Sequence, residues 1–363
     1  MSPVQVPLHV ALVGATGNLG PAILTQLLSA GFHVTIVARV GSGSKVSHNV
    51  VPLLPNTATT ATTASVDSSN AANTTTSTGI GIGTATIREV DYTSHGALVE
   101  ALSSPPVDVV VCTLGWFPGF FDTQKAVVDA CIEAGCVKRF LQSEFGNGAN
   151  ANVRKFPLLW HDKSKTQDYL VETVQKAAAA AAATVQTNNP NNPGGNNTPS
   201  PDSEQLERGF MVNLKDHTAT LYDGEDVRCS ATRVVTIGKA VVGVLRNLDA
   251  TENRHVFVHD AAITQNQLIE LAKKIGSDGG GGKGTERTWT TTSMSTADVE
   301  RDAYKALEEG DLMSATLGFI LRACWGQGFG QDFSDRLDND ILGIPVMSEE
   351  EIEGMMRNTM AKL

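Results

Sequence analysis

The feature that most constrains this chain is a glycine-spaced turn, Gly14-Ala15-Thr16-Gly17-Asn18-Leu19-Gly20, set between two regular patterns. Before it, His9 to Val13 is a short apolar run of strand character. After it, Ile23, Leu24, Leu27 and Leu28 recur at helical spacing until Gly31, and His33 to Ala38 forms a second strand-like run. Strand, glycine turn, helix and strand make a βαβ unit, whose usual consequence is a parallel sheet. In such a unit Gly14 permits the tight turn, Gly17 lets backbone approach a pyrophosphate, and Gly20 lets the helix pack close to the strand. The unpaired N–H groups at the helix start then face the phosphates. The spacing is GxxGxxG rather than GxGxxG, so the βαβ context carries the reading, and a glycine-rich loop without a ligand is the alternative.

The end of the second strand selects the dinucleotide. An acid there would accept from the ribose 2′-OH of NAD and repel a 2′-phosphate. The chain has Arg39 instead, and no Asp or Glu lies between Gly14 and Asp67. NADP(H) is therefore the expected cofactor, held by Gly14, Ala15, Thr16, Gly17, Asn18, Leu19, Gly20 and Arg39. The competing reading makes Arg39 a solvated surface residue. Lys45 adds a second positive charge in a stretch of weak structural character.

Downstream, the α/β rhythm is interrupted and then resumes. From about residue 41 to 83 the sequence is dominated by Ser, Thr, Asn, Ala and Gly, a composition that cannot bury enough surface to order itself. Strands are expected at Thr84 to Val90, Val107 to Thr113 and Arg139 to Gln142, with helices at His95 to Leu102 and Thr123 to Ala134. Five strands in βα alternation predict a doubly wound parallel (Rossmann) sheet. A helix from about Trp160 to Lys176 is expected to run into the alanines at 177–183, before an Asn/Pro/Gly-rich insertion at 184–205. The domain reading is an NADP-binding domain over 1–206 and, over 207–363, mainly a smaller α/β substrate domain with some strands returning to the first sheet. Within the latter, strands are expected near Phe210 and at His255 to His259, helices at Ile237 to Leu248 and Thr264 to Ile275, and a helical tail from Met313.

Composition narrows the function classes. Lys and Arg total 28 against 39 Asp and Glu, for a net charge of −11. That charge repels nucleic-acid backbones and anionic lipid, so neither is an expected partner. The five cysteines, Cys112, Cys131, Cys136, Cys229 and Cys324, form no CxxC pair and have no His at metal-ligand spacing, so free thiols and no metal are expected. Met1 to Val13 lack a basic n-region and a long apolar run, and no stretch approaches the roughly 20 apolar residues of a membrane span, so the expected location is the cytoplasm. Oligomeric state is left open, a homodimer among the options.

The chain resembles the isoflavone-reductase-like branch of the NmrA-like, atypical short-chain dehydrogenase family. The resemblance rests on Gly14 to Gly20, on Arg39, and on Ala134-Gly135-Cys136-Val137-Lys138-Arg139-Phe140 leading into Ser143-Glu144-Phe145-Gly146. It extends through Lys163 ahead of Gln167-Asp168-Tyr169-Leu170, Gly209-Phe210, Thr236-Ile237-Gly238, and Thr264 with Leu268. It implies an NADP(H)-binding Rossmann domain, a smaller C-terminal substrate domain, Lys163 as the acid/base, and an aromatic or phenolic secondary metabolite as substrate. The long insertions, and Val235 where the family usually has an acid, are departures.

The residues agree with a lysine mechanism. Residues four after Tyr92, Tyr169, Tyr222 and Tyr304 are Gly96, Thr173, Asp226 and Glu308, so no Tyr-x-x-x-Lys pair exists. A lysine alone can move the proton when partly desolvated; the competing reading of Lys163 is an exposed helix lysine. His161, two residues away, points to another helix face. Trp116, Phe117, Phe120 and Phe121 follow the fourth strand at the end where such sheets bind ligands, so Trp116, Phe120 and also Phe145 are candidates for contact with an aromatic substrate, with core or lid packing as the alternative. Asp108 and Glu144 show no evident partner in sequence. The functional expectation is an NADPH-dependent reductase of an aromatic or conjugated metabolite; the alternative is an NAD(P)-sensing regulatory protein without turnover.

Overall fold

A computed structural model describes residues 8–43, 74–76, 83–146, 150–182, 212–224, 226–278, 289–329 and 331–363. The chain divides into two compact units, one of Met1–Glu144, Asp162–Pro193 and Ile237–Leu248, the other of Phe145–His161, Gly194–Thr236 and Asp249–Leu363.

The first unit is a Rossmann-like sheet in the order β3-β4-β2-β1-β5-β6. Its strands are β1 (His9–Val13), β2 (His33–Arg39), β3 (Thr74–Thr76), β4 (Ala85–Val90), β5 (Val109–Cys112) and β6 (Arg139–Leu141). The five other than β3 run parallel. β5 is buried at every position, as its unbroken apolar run requires of a strand covered on both faces. Helix α1 (Gly20–Ser29) packs Ile23, Leu24, Leu27 and Leu28 inward, the positions its periodicity marked. Helices α2 (His95–Ser103) and α3 (Phe120–Ala134) follow β4 and β5, with Ser94 capping α2 and Gly135, at φ 67°, ending α3. The long helix α4 (Leu159–Ala182) carries the candidate lysine, and the helix α5 (Val234–Arg246) returns the chain to this unit.

One part of the low-complexity stretch departs from expectation. Thr74–Thr76 pairs antiparallel with β4 at the sheet edge. Three β-branched residues suit a strand, and the exposed edge of β4 supplies the template that a composition argument does not count.

The second unit contains β7 (Thr218–Tyr222) paired with β10 (Thr290–Met294), and β8 (Cys229–Ala231) paired with β9 (Ala261–Ile263). Helices α6 (Gln265–Asp278), α7 (Thr296–Glu308), α8 (Leu312–Trp325), α9 (Asn339–Leu342) and α10 (Glu349–Met360) complete it. One core groups Leu221, Ile269 and Trp325; another stacks Phe156 on Phe329 with ring centroids 5.6 Å apart. The strand expected at His255 to His259 is not one: the strand is β9, just beyond it. Side chains satisfy this segment's backbone instead. Phe257 N–H donates to Asp338 Oδ2 at 2.8 Å, His259 N–H to Asn339 Oδ1 at 3.2 Å, and Thr232 Oγ1 to the Val258 carbonyl at 3.0 Å. Phe210 and its expected strand lie outside the described residues.

Among the described residues no helix is long and apolar enough to cross a membrane. All five cysteines are free thiols.

Candidate functional site

The strand order reverses direction between β1 and β5, and doubly wound sheets bind ligands outside the C-terminal strand ends at such a switch point. The glycine turn leaves β1 there. Gly14 has φ 89°, and a Cβ on it would lie 2.8 Å from the Thr113 carbonyl carbon at the end of β5. Gly20 is tighter, with a Cβ 2.5 Å from the Ala15 backbone. Gly17 differs: its N–H donates to the Gly14 carbonyl at 3.0 Å, and a Cβ would meet nothing nearer than 3.4 Å. The protein's own packing therefore demands glycine at 14 and 20 but not at 17. Ala15 is buried while Thr16 and Asn18 are exposed. Helix α1 has Leu19 at its N-cap with no side-chain cap, no acid in its first turn and Pro21 near its start, which leaves its N-terminal N–H groups to an anion. This cradle fits a dinucleotide pyrophosphate.

Arg39 ends β2 with its side chain exposed. Its carbonyl accepts from Ser42 N–H at 2.9 Å and from Ser42 Oγ at 2.6 Å, which fixes the turn that follows. Beside it, Tyr92 donates its hydroxyl to the Val37 carbonyl at 2.7 Å, and burial drives its phenol pKa well above the ordinary value. Lys45 lies outside the described residues.

Lys163 is withdrawn from solvent, with its side chain 11% exposed, and its Nζ lies 3.5 Å from Oε1 of Glu144, itself 6% exposed. The exposed-lysine alternative does not hold. Glu144, which sequence gave no partner, thus faces the one residue to which a proton-transfer role was assigned. Asp108 also has partners: Lys138 Nζ at 2.8 Å and the His9 N–H at 2.9 Å.

Hydrogen bonds fix the surroundings of the pair. Ser143, adjacent to Glu144, donates its N–H to Gln124 Oε1 at 2.9 Å and its hydroxyl to the Leu114 carbonyl at 2.6 Å. Gln124 in turn donates to Thr166 Oγ1 at 3.3 Å, one turn along α4 from Lys163. Trp116 donates its indole N–H to Asp162 Oδ2 at 3.0 Å. The loop after β5, the start of α3, the end of β6 and α4 are thereby tied around Lys163. Trp116 remains partly accessible. Phe120 is fully buried and meets Phe117 edge-on at 6.2 Å, so it packs in the interior. Phe121 meets Tyr169 edge-on at 6.5 Å. Phe145 is half-buried and belongs to the second unit, and His161 is exposed. No cluster of metal-ligating side chains occurs among the described residues.

A sequence profile of the NmrA-like family matches residues 8–279. The chain belongs to the NmrA-like family. Oxidoreductase aprR of Aspergillus flavus is 28% identical over 352 residues, covering 95% of this chain and 97% of that protein. Isoflavone reductase of Glycine max is 28% identical over 138 residues, 38% of each chain. Among solved structures, an isoflavone reductase superimposes with a TM-score of 0.61 at 17% identity, over 97% of this chain and 100% of its own. AtPrR2 with NADP+ and (+)pinoresinol gives 0.56 at 20% identity, over 95% and 92%. At these identities the structural likeness is one of fold.

Proposed function

We propose that the protein is an NADP(H)-dependent oxidoreductase that reduces an aromatic or conjugated small molecule, with Lys163 as its acid/base. The observation that carries the reading is the buried Lys163 beside Glu144, in the same unit as an uncapped helix start behind a glycine turn. Relatives support the class of chemistry: aprR and poxI are named oxidoreductases, and solved relatives include leucoanthocyanidin reductase with NADPH and AtPrR2 with NADP+.

In this reading the glycine turn and the α1 N–H groups hold the pyrophosphate, and Arg39 takes the 2′-phosphate. The bound cofactor supplies the hydride. Lys163 Nζ gives a proton to the substrate oxygen on which negative charge collects and is reprotonated from solvent. Glu144 holds the ammonium in place between turnovers, and Trp116, fixed by Asp162, offers an aromatic face to the substrate.

The test is NADPH consumption against a panel of quinones and phenolic ethers, with wild type and Lys163→Met compared alongside calorimetric NADPH binding. Positioned acid/base groups contribute about 10² to 10⁴-fold to rate, so turnover should fall by that order while NADPH affinity stays. A variant that turns over like wild type removes Lys163 from the chemistry. A wild type that binds NADPH tightly and consumes none across the panel favours a dinucleotide-sensing regulator.

A further inference from the structure

The acid that the sequence lacks around Arg39 arrives from the next strand of the sheet. Glu89 on β4 stands opposite Ala38 of β2 in the parallel register, and its carboxylate reaches the turn that follows Arg39. There Oε2 accepts from Gly41 N–H at 3.0 Å and Oε1 accepts from Gly43 N–H at 2.6 Å. The fit is close: a Cβ on Gly43 would lie 2.5 Å from the same Oε1, and Gly41 takes φ 79°. Two convergent amides just beyond an arginine make an anion site, and here a carboxylate of the chain itself fills it.

In doubly wound folds the end of the second strand is where the ribose 2′ substituent is read. Resting on the NADP(H) reading above, we propose that Glu89 sets the cofactor selectivity of this chain: it occupies the Gly41 and Gly43 amides, and a 2′-phosphate gains them only by displacing it. A ribose with a free 2′-OH needs no displacement and can donate to the same carboxylate, as to the acid of NAD-selective sites. Glu89 therefore works against Arg39 and narrows the preference that Arg39 alone would give.

The experiment measures calorimetric affinities of adenosine 2′,5′-bisphosphate and 5′-AMP for wild type and Glu89→Gln. Neutralising Glu89 should tighten the bisphosphate by ~10-fold while 5′-AMP stays level or weakens, since one close charge pair is removed from a partly screened site. If the bisphosphate is unchanged or weakened by Glu89→Gln, Glu89 merely braces the turn and the proposal falls. A measurement on wild type guards against a variant that folds badly. Saturating bisphosphate should shift the Gly41 and Gly43 amide resonances well beyond the shift caused by 5′-AMP, and unmoved amides overturn the proposal. The NADP(H) reading fails separately. If wild type binds NADH as tightly as NADPH but Glu89→Gln uncovers a phosphate preference, that reading is lost while the role of Glu89 stands. Absence of bisphosphate binding to either protein overturns both.

Discussion

Lys163 and Glu144 show how far a single residue can be read from sequence. Resemblance singled out Lys163, but its partner depends on the end of β6 and the start of α4 converging, and no local spacing encodes that. Withdrawing two charges from water is costly, and their attraction offsets the cost only while both remain. With the side chains 11% and 6% exposed and 3.5 Å apart, removing either should leave a poorly solvated charge. Glu144→Gln and Lys163→Met are each expected to cost about 2 to 4 kcal/mol in denaturant unfolding. The double variant should cost clearly less than the two together, with a coupling of roughly 1 to 3 kcal/mol. Simple additivity would mean that the pair does not interact and that Glu144 has no hold on the lysine.

At the scale of elements, the first unit was legible, apart from the edge strand β3, because its elements carry their own signals. The stripe of α1, the apolar run of β5 and the stops at Gly31 and Gly135 all depend on residues close in sequence. The second unit was less so: β7 and β10 pair across about seventy residues, and β10, Thr290–Met294, is exposed at every position and polar at all but Met294. His255 to His259 misled because its β-branched and aromatic run, Val256-Phe257-Val258, suits a strand, while Asp338 and Asn339 bind the backbone that a ladder would have used. The same distinction between local and distant causes gives a test of the β1–α1 turn. Gly20→Ala drives a methyl group to 2.5 Å from the Ala15 backbone, and should lower stability by about 1 to 3 kcal/mol through overpacking. Gly17→Ala meets no atom nearer than 3.4 Å and should melt within a degree or so of wild type. If the turn holds a pyrophosphate, Gly17→Ala should still weaken NADPH by at least ~10-fold, because the methyl group intrudes where backbone must approach phosphate. A Gly17→Ala protein that binds normally would leave the turn structural only.

For the molecule as a whole, histidines in both units couple folding to pH. Burial lowers the pKa of His9 in the first unit and of His259 in the second. His255 is pushed furthest, to about 3, first by burial and then by the charges of Arg154 and Arg254. The unfolded chain protonates these rings near pH 6.5, whereas the folded chain resists doing so, and between those limits the unfolded state binds more protons. Stability must therefore fall as pH drops below about 6.5, with His255 alone contributing roughly 2 to 4 kcal/mol once pH nears its folded value. Asp108 and Asp332 act in the same direction but later. Lys138 and the His9 N–H hold Asp108 below the usual carboxylate range despite its partial burial, and Ser334 and Arg228 do the same for Asp332. Their share is lost only as pH falls below about 4. Melting temperature should accordingly decline already between pH 7 and 5, before the carboxylates protonate. His255→Phe keeps a ring to stack on Phe257, now 6.1 Å from the imidazole, and removes the titrating group. It should flatten the profile over that interval while leaving the steeper loss below pH 4. A wild-type melting temperature that is constant from pH 7 to 5, or a His255→Phe profile that superimposes on it, would place the acid sensitivity elsewhere.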